Sequence, residues 1–317
     1  MSQNLQESLE STAFVFPGQG SQSLQMLTDY AGVAEVKRTF EQASDTLGYD
    51  LWDLSQHGPE QDLNQTDKTQ PLLMTASVAL WRVWQSRAPL PLWVAGHSLG
   101  EYSALVCSGV LGLEQGVKLV EQRGQFMQQA VPTGIGKMAA IIGLDDDKVQ
   151  EACEQSAENE IVSPVNYNSP GQIVIAGNAN AVERAMLACK DAGAKRALPL
   201  AVSVPSHCLL MKPASEQLDQ LLSSIEFSES TVKMVNNVDV AVETDNNKIK
   251  DALVRQLYCP VRWSECITFL AEQNNLNIVE CGPGKVLSGL SRRIDRSLNS
   301  FQTLDLNSLD KAIEALV

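Results

Sequence analysis

Positive charge is in short supply. The 317 residues carry 24 Lys and Arg against 38 Asp and Glu, a formal net charge of −14. Such a field repels the phosphate backbone that dominates nucleic-acid affinity, so no nucleic-acid partner is expected, and an acidic protein could dock only on a locally basic patch. Histidine is scarcer still, with His57, His97 and His207 alone. Lacking H-E-x-x-H or any Cys/His cluster, the chain offers no ligand set for zinc, and no metal is expected. The seven cysteines (107, 153, 189, 208, 259, 266 and 281) are odd in number, scattered and without a C-x-x-C pair. That is the usage of reduced thiols in a cytosolic protein. No run approaches the roughly 20 apolar residues of a membrane span. The polar, acidic start MSQNLQESLE has no signal-peptide core. The expectation is a cytoplasmic protein with no membrane partner.

What is present is ordinary globular usage, 44% hydrophobic and 20% charged. The length suits two domains, or one large domain with an insertion. Thr12 to Phe16 (TAFVF) reads as a strand stopped by Pro17-Gly18-Gln19-Gly20. Pro71 to Gln85 has apolar residues at helical spacing behind a proline suited to a first turn. Leu92 to Ala95 (a strand), Gly96 to Gly100 (a turn) and Glu101 to Val110 (a helix) make a βα unit, and a further helix is expected over Gly112 to Gln129.

From Gly136 to Val204 the order becomes strand, helix, strand, strand, helix, strand, the ferredoxin-like split βαβ arrangement. Asp145 to Asp147 supply cap and first-turn carboxylates there, and Asn168-Ser169-Pro170-Gly171 turns a hairpin. The division expected is a polar extension over 1–11, a large domain from 12–134 and 205–317, and an inserted small domain over 135–204. Past Pro205 follow a helix over Pro213 to Ser224, a strand over Val232 to Asn236, an exposed acidic loop over Asp239 to Lys250 and a helix near Trp263 to Asn274. The last βα unit runs from Asn277 to Leu298 through Gly282-Pro283-Gly284.

Gly96-His97-Ser98-Leu99-Gly100 satisfies G-x-S-x-G in the strand, turn, helix context that a nucleophile elbow demands. A serine needs a base within hydrogen-bond reach. His97 belongs to the elbow, where neighbouring side chains diverge, and His57 lies in a polar Gly-Pro loop. His207, where the insertion hands the chain back, is the base expected. The loop Gly18-Gln19-Gly20-Ser21-Gln22-Ser23 follows a strand but lacks the third glycine of a dinucleotide fingerprint. A backbone N–H serving an oxyanion hole suits it better. Arg123, judged alone, reads as a solvated helix residue, as do Arg292, Arg293 and Arg296.

The segments FVFPGQGSQ (14–22), GHSLGEYSAL (96–105), QRGQFMQ (122–128), NYNSPGQIVIAG (166–177), VPSH (204–207) and VECGPGKVLSGL (279–290) resemble, in order and over nearly the whole chain, the malonyl-CoA:acyl carrier protein transacylases of the fatty-acid and polyketide acyltransferase family. The resemblance implies an α/β-hydrolase-like large domain with a parallel sheet and an inserted ferredoxin-like (βαββαβ) domain. It also implies ping-pong transfer of malonyl from malonyl-CoA to the phosphopantetheine thiol of holo acyl carrier protein, without a cofactor; the expectation for the chain is a monomer. In its terms Ser98 carries the acyl group, His207 is base and then acid, and the N–H groups of Gln19 and Leu99 form the oxyanion hole. Arg123 pairs with the malonyl carboxylate, and the backbone carbonyl of Gln256 orients the histidine. Cys259 stands where the family has asparagine, and Cys281 where it has an aliphatic residue.

Two rivals remain at this stage. A serine hydrolase would share the elbow, with Asp145 or Asp191 preserving the order Ser, Asp, His. A catalytically silent carrier-docking subunit would bind carrier protein without chemistry. For docking, Lys285, Arg292, Arg293 and Arg296 form a basic stretch that suits an acidic carrier.

Overall fold

A computed structural model describes residues 11–317 except 133, 203 and 231. The polar extension expected over 1–11 lies, but for Ser11, outside the described residues. Strand β1 (Thr12–Phe16) is central to a five-stranded sheet, fully parallel, in the order β7-β2-β1-β8-β9 with β2 (Trp93–Gly96), β7 (Lys233–Val235), β8 (Asn277–Glu280) and β9 (Asn299–Gln302). Side chains alternate across a strand. Phe14 and Phe16 therefore enter one core and Ala13 and Val15 the other, so β1 is buried on both faces.

The Phe14 side is covered by helices α1 (Ala34–Leu47), α2 (Leu51–His57), α3 (Glu60–Leu63), α4 (Thr66–Gln85), α5 (Leu99–Cys107) and α6 (Leu113–Ala130). Trp81 and Trp84 of α4 stand edge-on to the Phe14 ring at 5.4 and 4.8 Å. This helix begins five residues before the start expected, so Pro71 lies inside it. A proline there costs about 3 kcal/mol, and burial of nearly every side chain from Thr69 to Trp84 outweighs that.

Residues 136–199 build a second sheet from β3 (Gly136–Ile142), β4 (Val162–Ser169), β5 (Gln172–Asn178) and β6 (Arg196–Pro199). Its order, β4-β5-β3-β6, is antiparallel throughout and is the ferredoxin-like arrangement. Helices α7 (Asp146–Ala157) and α8 (Ala179–Asp191) cover the face made by Ala139, Ile141, Ile173 and Ile175. Alternation turns Met138, Val174 and Ala176 to the other face, toward the large domain. A parallel bridge from Asn166 to Val261 stitches the two parts together, with Tyr167 N–H donating to the Val261 carbonyl at 3.0 Å. Asp145 is the N-cap residue of α7, but its side chain accepts no capping hydrogen bond.

Helices α9 (Lys212–Ser223), α10 (Asn246–Gln256), α11 (Trp263–Glu272), α12 (Val286–Ile294) and α13 (Leu306–Leu316) complete the chain. The loop expected over Asp239 to Lys250 is cut short, because Asp245 accepts from the N–H groups of Asn247 and Lys248 and so starts α10. The helix expected to reach Leu298 stops at Ile294, and the edge strand β9 and α13 follow. Among the described residues no helix is long and apolar enough to cross a membrane.

Candidate active site

The elbow follows β2 and heads α5. Ser98 has φ 52° and ψ −107°, a conformation that non-glycine residues rarely adopt. The flanking glycines are forced by crowding. A Cβ at Gly96 would lie 1.8 Å from the Gly100 carbonyl carbon, and one at Gly100 would lie 2.0 Å from the Phe16 carbonyl oxygen. The turn is clamped from outside by Asn237, whose Oδ1 accepts the Ser98 N–H at 2.8 Å and whose Nδ2 donates to the Gly96 carbonyl at 2.7 Å.

The Ser98 hydroxyl lies 2.8 Å from His207 Nε2, and His207 Nδ1 lies 2.6 Å from the Gln256 carbonyl oxygen. A carbonyl only accepts, so Nδ1 carries the proton and Nε2 presents its lone pair to the serine hydroxyl. Burial, and then the charge of Arg123, hold the imidazole down to about 3 against the pull of the Gln256 carbonyl. At neutral pH it is therefore an uncharged base. Its Nδ1 is taken by the Gln256 carbonyl, among the described residues no carboxylate makes an ion pair with it, and Asp145 and Asp191 are both exposed, which speaks against the Ser, Asp, His triad of the hydrolase reading.

The reading of Arg123 as solvated is overturned: it is 0% exposed. It projects from the buried side of α6, where Val120, Gly124 and Met127 also lie. Its Nη1 donates to Gln70 Oε1 at 2.8 Å, and its Nη2 to Gln256 Oε1 at 3.1 Å and to Ser98 Oγ at 3.4 Å. The Tyr102 ring lies 5.0 Å away. Among the described residues no carboxylate makes an ion pair with it. A buried cation held by neutral amides beside a nucleophile is a receptor for an anion.

The site opens into a cleft of about 390 Å³ between the two sheets. Gln19, Ser98, Asn168 and His207 line it with apolar walls from Met138, Val174, Leu200 and Val286, the dimensions and character of a small-molecule channel. Leu99 begins α5, and the first N–H groups of a helix have no carbonyl acceptor within it. His97 packs against the Trp263 ring and bonds through Nε2 to Asn168 Oδ1 at 2.8 Å. His57 is exposed and pairs with Asp53.

The basic stretch is divided between two places. Arg293 reaches Gln172 at the cleft wall, whereas Arg292 and Arg296 line a separate hollow with Ser300 and Phe301. Lys285 is exposed just before α12.

Sequence reasoning passed over Gln70, Glu101 and Asn237. All three are buried, and Glu101 accepts from both Asn237 N–H and Gln256 Nε2 at 2.9 Å. Burial pushes its carboxyl up to about 7, while those two hydrogen bonds pull the other way. Glu101 belongs to the quoted GHSLGEYSAL segment, but Gln70 and Asn237 lie in no motif. Among the described residues no group of three or more His, Cys, Asp and Glu could hold a metal ion.

The pattern of the acyl transferase domain matches residues 13–304. The chain belongs to the acyl transferase domain family. It is 61% identical over 303 residues to the malonyl CoA-acyl carrier protein transacylase of Salmonella typhimurium, covering 95% of this chain and 98% of that one. A crystal structure of an acyl carrier protein S-malonyltransferase from Vibrio cholerae superposes with a TM-score of 0.93 at 58% identity, covering 95% and 99% of the two chains. A malonyl-transacylase solved in complex with its type II PKS acyl-carrier protein gives 0.95 at 56% identity, covering 96% and 99%. The family resemblance and the α/β architecture with its two sheets thus agree with these relatives.

Proposed function

We propose that the protein moves a malonyl group from malonyl-CoA to the phosphopantetheine thiol of acyl carrier protein through an ester on Ser98, supplying fatty-acid or polyketide synthesis. The observation that carries this reading is Arg123, a buried guanidinium that makes no ion pair among the described residues and lies 3.4 Å from the Ser98 hydroxyl. A neutral acyl group offers such a cation no charge to pair with.

In the first half-reaction His207 Nε2 takes the Ser98 proton as Oγ attacks the thioester carbonyl. The oxyanion is met by the N–H groups of Gln19 and Leu99, a contribution of about 2.7–4 kcal/mol per donor in comparable sites. Collapse breaks the C–S bond, and the imidazolium returns its proton to the departing CoA sulfur. In the second half the carrier thiol gives its proton to His207, attacks the ester, and Ser98 leaves with that proton. The Gln256 carbonyl holds the ring in one tautomer throughout.

Charge couples the substrate to the base. Arg123 lowers the basicity of His207; a malonyl carboxylate on Arg123 offsets that charge, so the base strengthens when the correct substrate is seated. For the carrier, the sequence's basic stretch narrows to Arg293, which bonds to Gln172 of the cleft wall, and Lys285, which precedes the wall residue Val286, with Arg292 and Arg296 lining a separate hollow.

Intact-mass measurement after mixing the protein with malonyl-CoA and acetyl-CoA together tests the proposal. A malonyl adduct, discharged by holo acyl carrier protein and absent from Ser98→Ala, is the expected result. Rapid loss to water without carrier would point to a hydrolase instead, and no adduct at all to a silent docking subunit.

A further inference from the structure

Glu101 sits three residues past Ser98 on α5, 1% exposed, and among the described residues no cation makes an ion pair with it. A buried carboxylate that touches no cation is costly unless its hydrogen bonds are worth keeping, and the nearby charge of Arg123 offsets only part of that cost. The bonds it accepts from Asn237 and Gln256 both fall on one oxygen, Oε2, and both donors belong to residues that hold the reacting groups.

The first donor is the main-chain N–H of Asn237, the residue whose side chain spans the elbow from the Gly96 carbonyl to the Ser98 N–H. The second is Nε2 of Gln256. That amide has one donating and one accepting end, and its direction decides what Arg123 meets. Nε2 faces acceptors: Glu101 Oε2 at 2.9 Å, the Ser98 carbonyl at 3.1 Å and Asn237 Oδ1 at 3.3 Å. Its Oε1 is thereby left to accept from Arg123 Nη2 at 3.1 Å. Reversing the amide would set N–H against guanidinium N–H and oxygen against carboxylate. In its ionised form, which these two bonds and the charge of Arg123 favour against burial, the carboxylate can only accept and so enforces this direction.

We propose that Glu101 is a positioning residue for acyl-group selectivity, locking the Gln256 amide so that its oxygen aims the Arg123 guanidinium at the acyl carboxylate. This rests on the reading of Arg123 as the group that binds that carboxylate. Glu101 itself touches no substrate. It acts two bonds away, through Gln256 to Arg123, while its bond to Asn237 braces the serine turn.

Glu101→Gln conserves size, but its amide offers donor and acceptor in either order and carries no charge, so the direction at Gln256 rests only on the longer contacts to the Ser98 carbonyl, Asn237 Oδ1 and Arg123 and is held less strongly. The measurement is kcat/KM for malonyl-CoA and for acetyl-CoA in wild type, Glu101→Gln, Arg123→Ala and the double variant. Glu101→Gln should lower the malonyl preference about tenfold, the size expected when one oriented hydrogen bond to a charged group is lost. On the Arg123→Ala background it should change the preference no further, because the guanidinium it aims is gone. A general loss of folded protein would lower both rates and leave their ratio alone.

Wild-type preference in Glu101→Gln, or an equal further loss on the Arg123→Ala background, overturns the proposal. Unchanged preference in Arg123→Ala itself would remove the reading beneath it, a result visible without the Glu101 variants. Should Glu101→Gln not fold, Gln256→Met cuts the same relay while keeping the carbonyl that holds His207. Loss of preference there supports the proposal, and retention overturns it.

Discussion

Arg123→Ala removes a guanidinium that is sealed from solvent and bonded to Gln70, Gln256 and Ser98. Deleting one partner of a buried, hydrogen-bonded charge pair costs about 2–5 kcal/mol. At about 1.4 kcal/mol per factor of ten, that is a fall of roughly 30-fold to several thousand-fold in kcat/KM for malonyl-CoA. Acetyl-CoA has no carboxylate to lose a partner, so its rate should hold or rise and the preference should collapse or invert. The same substitution changes the base. Arg123 is the second cause, after burial, of the low basicity of His207. Without it the imidazole holds its proton to higher pH. The acid limb of kcat/KM for acetyl-CoA, governed by protonation of the free base, should therefore move upward in pH. Steady-state rates for both thioesters from acid to neutral pH test both effects. An unchanged malonyl-to-acetyl ratio would show that another group reads the carboxylate, and an acid limb that stays put would refute the charge coupling.

Two other outcomes are expected. Gly100→Ala would bring a methyl to 2.0 Å from the Phe16 carbonyl oxygen, a backbone atom that cannot swing aside, so the melting temperature should fall with a loss of about 1–3 kcal/mol; wild-type stability by thermal unfolding would contradict the packing described. Charge reversal at Arg293, beside the cleft wall at Gln172, should weaken holo acyl carrier protein as substrate while sparing acylation by malonyl-CoA, and reversal at Arg292 should do less; equal effects on both half-reactions would sink this docking face.

The parts legible in the sequence were those with local causes. The elbow could be found because crowding at Gly96 and Gly100 leaves no alternative residue, and the small domain because alternating strands and a turn-rich hairpin repeat a known order. The start of α10 carried its own signal in Asp245 and was hidden by the acidic composition around it. The onset of α4 was misplaced because proline is a local rule, while the burial that overrides it is long-range. Arg123 fails for the same reason. Nothing in its spacing distinguishes a buried cation from a solvated one, since its partners Gln70 and Gln256 stand 53 and 133 residues away. Only resemblance to relatives supplied a role for it. Asn237 and Gln70 belong to no motif, so their part in the site emerges from three-dimensional neighbours alone.

The serine turn, the imidazole and the carbonyl that steadies the imidazole are contributed by positions 98, 207 and 256, with the whole antiparallel sheet built between the first and second. During synthesis the hydroxyl therefore emerges more than a hundred residues ahead of the group able to activate it. A fragment that ends after the elbow lacks both the base and the carbonyl that steadies it, because those groups lie 109 and 158 residues further on.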